Sequence, residues 1–199
     1  MIDYETIATY DRQAEAYAER FRGAASEPAL VAFIAQVKPG GRILDLGCGP
    51  AEAAAFMRDS GFETDAVDAS AEMVRLANET QNIGARQATF DDIRAVNAYD
   101  GIWANFSLLH ASAENFPRHL VALYEALRPG GCFHIAMKLG TGSKRDHLGR
   151  YYSFYSKTEL TKLLSAAGFI VDDTITGEGA GLAGSVDPWI VLRTHKPPV

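Results

Sequence analysis

The spacing of apolar residues changes several times along the chain, and each change marks an element. Over residues 9–22, Tyr10, Ala14, Tyr17 and Phe21 recur at helical spacing on one face. Pro28 opens a second helix, whose stripe is Leu30, Val31, Phe33, Ile34 and Val37, and Lys38-Pro39-Gly40-Gly41 stops it. Strand-like and helix-like segments then alternate. Arg42–Leu46 reads as a buried strand, Ala51–Ser60 as an Ala-rich helix and Glu63–Val67 as a second strand. Ser70 can cap the next helix, with Met73, Val74, Leu76 and Ala77 inward. Ala85–Phe90 is a third, weaker strand and Gly101–Phe106 a fourth. A helix over Asn115–Leu127 gathers Phe116, Leu120, Leu123 and Leu127 on one face, Arg128-Pro129-Gly130-Gly131 ends it, and Cys132–Met137 is a fifth strand.

Residues 139–155, rich in Gly and Tyr, break this rhythm. Ser156-Lys157-Thr158-Glu159 is a capping box for a helix carrying Leu160, Leu163, Leu164 and Ala167, stopped by Gly168. Phe169–Thr176 and Trp189–Thr194 are the last strands, with a glycine-rich loop over residues 177–181 between them. Strands alternating with helices predict an α/β fold with a doubly wound parallel sheet. The last two strands are too close in sequence for a helical crossover, so they should pair antiparallel at or near one edge. Ligands of such sheets bind beyond the carboxyl ends of the strands, which puts Asp45, Asp68, Phe90, Asn105 and Lys138 along one rim.

Composition narrows the class. At 199 residues, 47% hydrophobic and 22% charged, the chain is expected to form a single soluble domain over residues 1–199. Its net charge is −6 and no Lys/Arg run exceeds two residues, so a nucleic-acid footprint is not expected. Cys48 and Cys132 lie far apart, outside metal-ligand spacing, and are expected as free thiols. With no secretory signal at the first residues and no apolar run of membrane-spanning length, a cytoplasmic protein without membrane contact is expected.

The most specific signal is Ile43-Leu44-Asp45-Leu46-Gly47-Cys48-Gly49-Pro50, followed about 20 residues later by Asp68, the spacing used to grip a ribose. A dinucleotide turn wants a third glycine where Glu52 stands, and a carboxylate there is a poor neighbour for pyrophosphate. No phosphate-binding Gly-x-x-x-x-Gly-Lys-Ser/Thr motif exists, so ATP is unsupported. S-adenosylmethionine (SAM) carries no phosphate. Asp45 can meet its ammonium, the glycines allow close backbone approach, and Asp68 can accept both ribose hydroxyls.

Residues 43–50 resemble the glycine-rich signature of class I SAM-dependent methyltransferases. Val67-Asp68-Ala69-Ser70-Ala71-Glu72-Met73 is similar to their acidic ribose motif, and Leu127-Arg128-Pro129-Gly130-Gly131 to their turn before strand five. Residues 99–110 resemble their strand-four block, and with Gly149-Arg150-Tyr151-Tyr152 are similar to a bacterial small-molecule branch that includes tellurite-resistance-like members. The resemblance spans about residues 9–194 and implies a seven-stranded sheet of order 3-2-1-4-5-7-6 with strand 7 antiparallel. By position it implies that Gly47, Cys48 and Gly49 line the methionine portion, Asp68 holds the ribose, and Ala69 or Met73 flanks the adenine. Ala104 and Asn105 would face the methionine end. Thr89 and Phe90 stand where the family often has an acidic residue and a small one, so either Asp91 is the displaced adenine contact or backbone groups serve instead.

Several residues carry two readings. Asp45 could merely cap its turn, and Cys48 reads better as a packing residue than as a nucleophile. Tyr17 reads as core. Tyr10 is core or lid, because an N-terminal helix in similar proteins often offers an aromatic ring to the cofactor, here residues 1–38. His110, just beyond strand four, is the candidate general base. His134 reads as packed within its strand. Lys138 and Arg150 could clamp an anionic substrate and Tyr151 could wall its pocket, or all three could be solvated or structural. The residues 139–155 insert is expected near the substrate site, and the 177–187 loop could also cover the rim. The expected activity is methyl transfer from SAM to a small molecule, leaving S-adenosylhomocysteine. The alternatives are a SAM-binding sensor or scaffold and a nicotinamide-dependent oxidoreductase.

Overall fold

The computed structural model describes residues 2–21, 23 and 28–198. Arg22, the last residue of the expected first helix, lies outside the described residues.

Two helices come first, α1 (Tyr4–Arg20) and α2 (Pro28–Ile34). Then follow β1 (Arg42–Leu46), α3 (Glu52–Asp59), β2 (Glu63–Asp68), α4 (Ala71–Gln81), β3 (Arg86–Gln87), β4 (Tyr99–Asn105), α5 (Phe116–Ala126) and β5 (Leu127–Lys138). The insert forms a small hairpin, β6 (Ser143–Arg145) and β7 (Tyr151–Ser153). The chain closes with α6 (Lys157–Ala166), β8 (Ile170–Ala180) and β9 (Val186–His195). The seven-stranded sheet has the order β3-β2-β1-β4-β5-β9-β8, and β9 runs antiparallel to both neighbours. Setting the insert hairpin aside, this is the expected 3-2-1-4-5-7-6 sheet.

Alternation along the central strands sends side chains to two cores. Leu44, Leu46, Ile102, Phe133 and Ile135 pack with α5 and α6, through residues such as Phe116, Leu120 and Leu160. Ile43, Trp103 and Cys132 pack on the other face with Phe33 of α2 and Ala54 and Met57 of α3. Gly101 lies under α2: a Cβ there would sit 2.9 Å from both the Phe33 ring and Val37. Both thiols are free, and each donates to a backbone carbonyl, Cys48 to Gly49 and Cys132 to Gln36.

Two expectations need correction. The third strand is only Arg86–Gln87, because the chain turns at Phe90–Asp92 into a 3-10 helix. Asp92 fixes that turn by accepting from both the amide and the hydroxyl of Thr89. The residues 177–181 segment is mostly strand, since β8 continues to Ala180. Gly177 and Gly179 stand there because the Trp189 ring of β9 lies over them, and a Cβ at Gly177 would overlap it.

The capping box at α6 is formed: Glu159 N donates to Ser156 Oγ at 3.2 Å, and Ser156 N to Glu159 Oε2 at 2.8 Å. Ser156→Ala is expected to cost about 1 kcal/mol in urea unfolding, with the slope of the transition unchanged.

Candidate active site

At the carboxyl ends of β1, β2 and β4 two clefts meet, sharing Tyr17, Gly47, Gly49 and Asn105. The turn after β1 is pinned to β2, since the amides of Gly47 and Cys48 both donate to Val67 O at 2.8 and 3.0 Å. Asp68 ends β2 and accepts from Gly49 N and Ser70 N, each at 2.9 Å. A third amide, of Ala69, also bears on this carboxylate, which has acceptor capacity left for a further donor. Gly47 has φ +76°, and a Cβ there would overlap Ser107 Cβ. This glycine therefore makes room for its own protein, beside the expected close approach of a ligand.

Asp45 is 2% exposed and lies in the smaller cleft. Its Oδ2 has no partner, while the first turn of α3 supplies one amide, from Ala54. Burial first and the charge of Asp68 second push its carboxyl up to about 7. Burial likewise raises Asp68, with backbone amides opposing. Cys48 sits beside them with its thiol pushed well up by burial and by both carboxylates, so it is no nucleophile. Asn105 accepts from His134 Nε2 at 3.1 Å, and His134 is stacked on Trp103 at 3.7 Å. The packed histidine thus also aims the amide of Asn105.

The larger cleft takes in Ala69, Met73, Thr89, Phe90 and Asp91. Asp91 is ion-paired with Arg118 at 2.6 Å. Ala104 is fully buried in the α5/α6 core and lines neither cleft. This corrects its expected place: strand alternation turns its side chain to the opposite face from Asn105.

Helix α1 lies across the opening. Its Asp11 accepts from Ser70 Oγ at 2.6 Å and Glu72 N at 3.2 Å, tying it to the start of α4. At the other end Asp3 pairs with Arg145, and Thr6 and Thr9 bond the backbone at Tyr151 and Leu148. Between these anchors Tyr10 Oη lies 2.8 Å from His110 Nε2. His110 Nδ1 lies 2.6 Å from Tyr151 O. A carbonyl only accepts, so Nδ1 carries the proton and Nε2 presents its lone pair to the Tyr10 hydroxyl. Burial, helped by the charges of Arg150 and Lys138, lowers His110 to about 4, so the ring is neutral at pH 7.

The expected anion clamp is not assembled. Arg150 is 2% exposed, donates to Asp146 through Nε and Nη2, and donates to Tyr10 Oη at 3.1 Å. Lys138 pairs with Asp187 at 2.6 Å over the Tyr152 ring. Tyr151 contributes its carbonyl. None of the three lines either cleft. Sequence reasoning also missed Phe106 and Ser107. Phe106 has φ +55° and an exposed ring on the cleft wall. Ser107, 7% exposed, carries an unpartnered Oγ. Nothing in the sequence marks the Phe106 backbone as left-handed.

A profile of the methyltransferase domain matches residues 10–174. The chain belongs to the methyltransferase-domain family. Its sheet order is that of class I SAM-dependent methyltransferases, whose cofactor is S-adenosylmethionine. An uncharacterized methyltransferase of Staphylococcus carnosus is 29% identical over 123 residues, covering 60% of this chain and 59% of the relative. A malonyl-[acyl-carrier protein] O-methyltransferase of Enterobacter lignolyticus is 35% identical over 92 residues, 45% of this chain and 36% of the relative. The chain thus aligns to less than two thirds of the length of these curated relatives. In structure it is similar to the Burkholderia thailandensis 1,6-didemethyltoxoflavin-N1-methyltransferase with bound 1,6-didemethyltoxoflavin and S-adenosylhomocysteine. That similarity has a TM-score of 0.76 at 24% identity and covers 98% of this chain and 89% of the other. Among the described residues, no helix is long and apolar enough to cross a membrane.

Proposed function

We propose that this methyltransferase-family chain transfers the methyl group of SAM to a small-molecule acceptor. The observation that carries the reading is the buried, unpartnered Asp45 Oδ2 beside Asp68. With no cation beside it among the described residues, the Asp45 carboxylate fits an ammonium, and Asp68, an acceptor at the neighbouring strand end, fits hydroxyl donors of the same ligand. SAM has both groups and no phosphate to offend Glu52. Asp45, Gly47, Cys48, Gly49 and Asn105 would hold the methionine portion, and Asp68 the ribose. Ala69 and Met73 would flank the adenine, with Thr89, Phe90 and Asp91 at its edge.

When bound, SAM supplies a methyl group activated by its sulfonium. The protein's part is alignment and exclusion of water, which supply as much as ~7–11 kcal/mol when reactants are well oriented. Within one domain α1 provides part of the cover, and the residues 139–155 insert pins it down through Arg145, Leu148 and Tyr151. Tyr10 then belongs to the lid.

The acyl-carrier-protein relatives suggest a carboxylate acceptor. Against that reading, neither cleft carries a Lys or Arg on its walls among the described residues. A cytoplasmic place fits a free metabolite as acceptor.

Calorimetric titration with SAM, S-adenosylhomocysteine, NAD and NADP tests the cofactor, and a metabolite panel scored for S-adenosylhomocysteine tests turnover. SAM and its product are expected to bind, and the nicotinamides are not. Tight NAD binding without SAM binding would mean an oxidoreductase. SAM binding with no product across the panel would favour a sensor or scaffold.

A further inference from the structure

Beyond the cofactor motifs, the larger cleft runs on past Asn105 to walls that those motifs do not use. Phe106, Tyr10 and His110 form them, with Ile7 and Ala111 beside. Resting on the methyltransferase reading, we propose that this is the acceptor subsite, and that it takes a neutral, flat ring bearing an O–H or N–H. Tyr10 and His110 then form the relay for that proton.

Charge comes first. The cleft offers carboxylates at Asp3, Asp68 and Asp91: Asp3 and Asp91 are already paired, with Arg145 and Arg118, and Asp68 is taken by the ribose on the proposed reading. Arg150 approaches the subsite only from behind Tyr10, with Asp146 already bound to it. Among the described residues a free anion would find no cation here, and with Asp68 on the ribose a free cation would find no unpaired carboxylate, so desolvation selects a neutral ligand.

Shape comes second. Phe106 holds a left-handed backbone, which a bulky residue rarely adopts, yet its amide is fastened to Ala136 O at 3.1 Å. The strain sets an exposed aromatic face on the cleft wall, where a flat ring can stack. The adjacent Ser107 Oγ, buried and unpartnered, is a polar handle still unused.

The hydrogen-bond directions make the relay. Arg150 Nη1 donates to Tyr10 Oη, Tyr10 O–H donates to His110 Nε2, and His110 Nδ1–H donates to Tyr151 O. A donor arriving at Tyr10 finds an oxygen whose own proton already points at a lone pair. As the acceptor's X–H bond breaks, its proton goes to Tyr10 oxygen and the Tyr10 proton goes to His110 Nε2. The electron pair stays on the acceptor atom as the nucleophile. Charge is conserved, with one anion and one imidazolium formed. The Tyr151 carbonyl favours the imidazolium against the burial and nearby cations that oppose it, so His110 holds the proton only in passing, and Arg150 stabilises the passing tyrosinate.

The test uses the full chain saturated with S-adenosylhomocysteine, observed through its histidine ring nitrogens by NMR. The probes are 4-methylphenol, 4-methylanisole and 4-methylbenzoate. The phenol is expected to shift His110 Nε2 saturably, with the ether at least about tenfold weaker, having lost its donor. The benzoate should leave His110 unmoved. Tyr10→Phe keeps the ring and should abolish the phenol-induced shift, while Phe106→Ala should weaken phenol binding with the free His110 resonance unchanged. No His110 shift with the phenol, equal binding of the ether, or preference for the benzoate would each overturn the subsite. If S-adenosylhomocysteine itself fails to bind, it is the methyltransferase reading that falls.

Discussion

At pH 8, Asp45→Asn is expected to bind S-adenosylhomocysteine about 30-fold more weakly than wild type, or worse, by isothermal calorimetry. Removing one member of a buried charge pair costs about 2–5 kcal/mol, and here the proposed partner is the ligand's ammonium. Protons carry a second signature of the same group. In the free protein Asp45 titrates near 7, because burial and Asp68 oppose its charge. Binding an ammonium reverses that, so below pH 7 the wild-type protein should release close to one proton on binding. The observed enthalpy then depends on the ionisation enthalpy of the buffer, and in Asp45→Asn that dependence vanishes. Free-protein stability follows with its own sign. The folded value lies above the ordinary 3.8, so this group's contribution is fully present below 3.8 and is lost as pH rises through about 7. That shift corresponds to roughly 4 kcal/mol. Between pH 5 and pH 8 the wild-type Tm should therefore fall relative to that of Asp45→Asn. A constant difference across that range would remove Asp45 as the titrating group.

The central strands were legible because parallel strands buried on both faces read as apolar runs, as Arg42–Leu46 and Gly101–Phe106 do. Caps were legible because Ser70 and Ser156 act within three residues of themselves. What failed had a tertiary cause. Residues 177–181 look like a loop until Trp189 is laid across the glycines. Ala85–Phe90 looks like a strand until Asp92 folds it back onto Thr89. In the site, the turn with Asp45 and the strand end with Asp68 come from two short motifs on adjacent strands, and β1–β2 pairing brings them together. The partners of His110 come from Tyr10, 100 residues away, and from the insert. Arg150 read as a clamp for an anion or as a solvated charge, because its carboxylate, Asp146, sits four residues off in an irregular segment where no periodicity places it. Local chemistry is readable in such a chain, whereas contacts across the lid depend on how the insert folds over α1.

Gly47→Ala should be the most damaging single methyl group in the turn. Two costs add. An alanine at φ +76° loses roughly 1–2 kcal/mol to its own backbone, and its Cβ would overlap Ser107 Cβ, an overpacking worth about 1–3 kcal/mol. The turn cannot swing aside, because the Gly47 and Cys48 amides are both held on Val67 O. Together about 2–5 kcal/mol would go, a large share of the roughly 5–15 kcal/mol that keeps a domain folded. The two costs separate in a double-mutant cycle. Ser107→Gly removes the obstructing Cβ and leaves the backbone conformation alone, so Gly47→Ala should be at least about 1 kcal/mol milder in that background. Urea unfolding of the four proteins reads this directly. Strict additivity would mean that Ser107 does not obstruct position 47, and that this glycine answers to its backbone and its ligand alone.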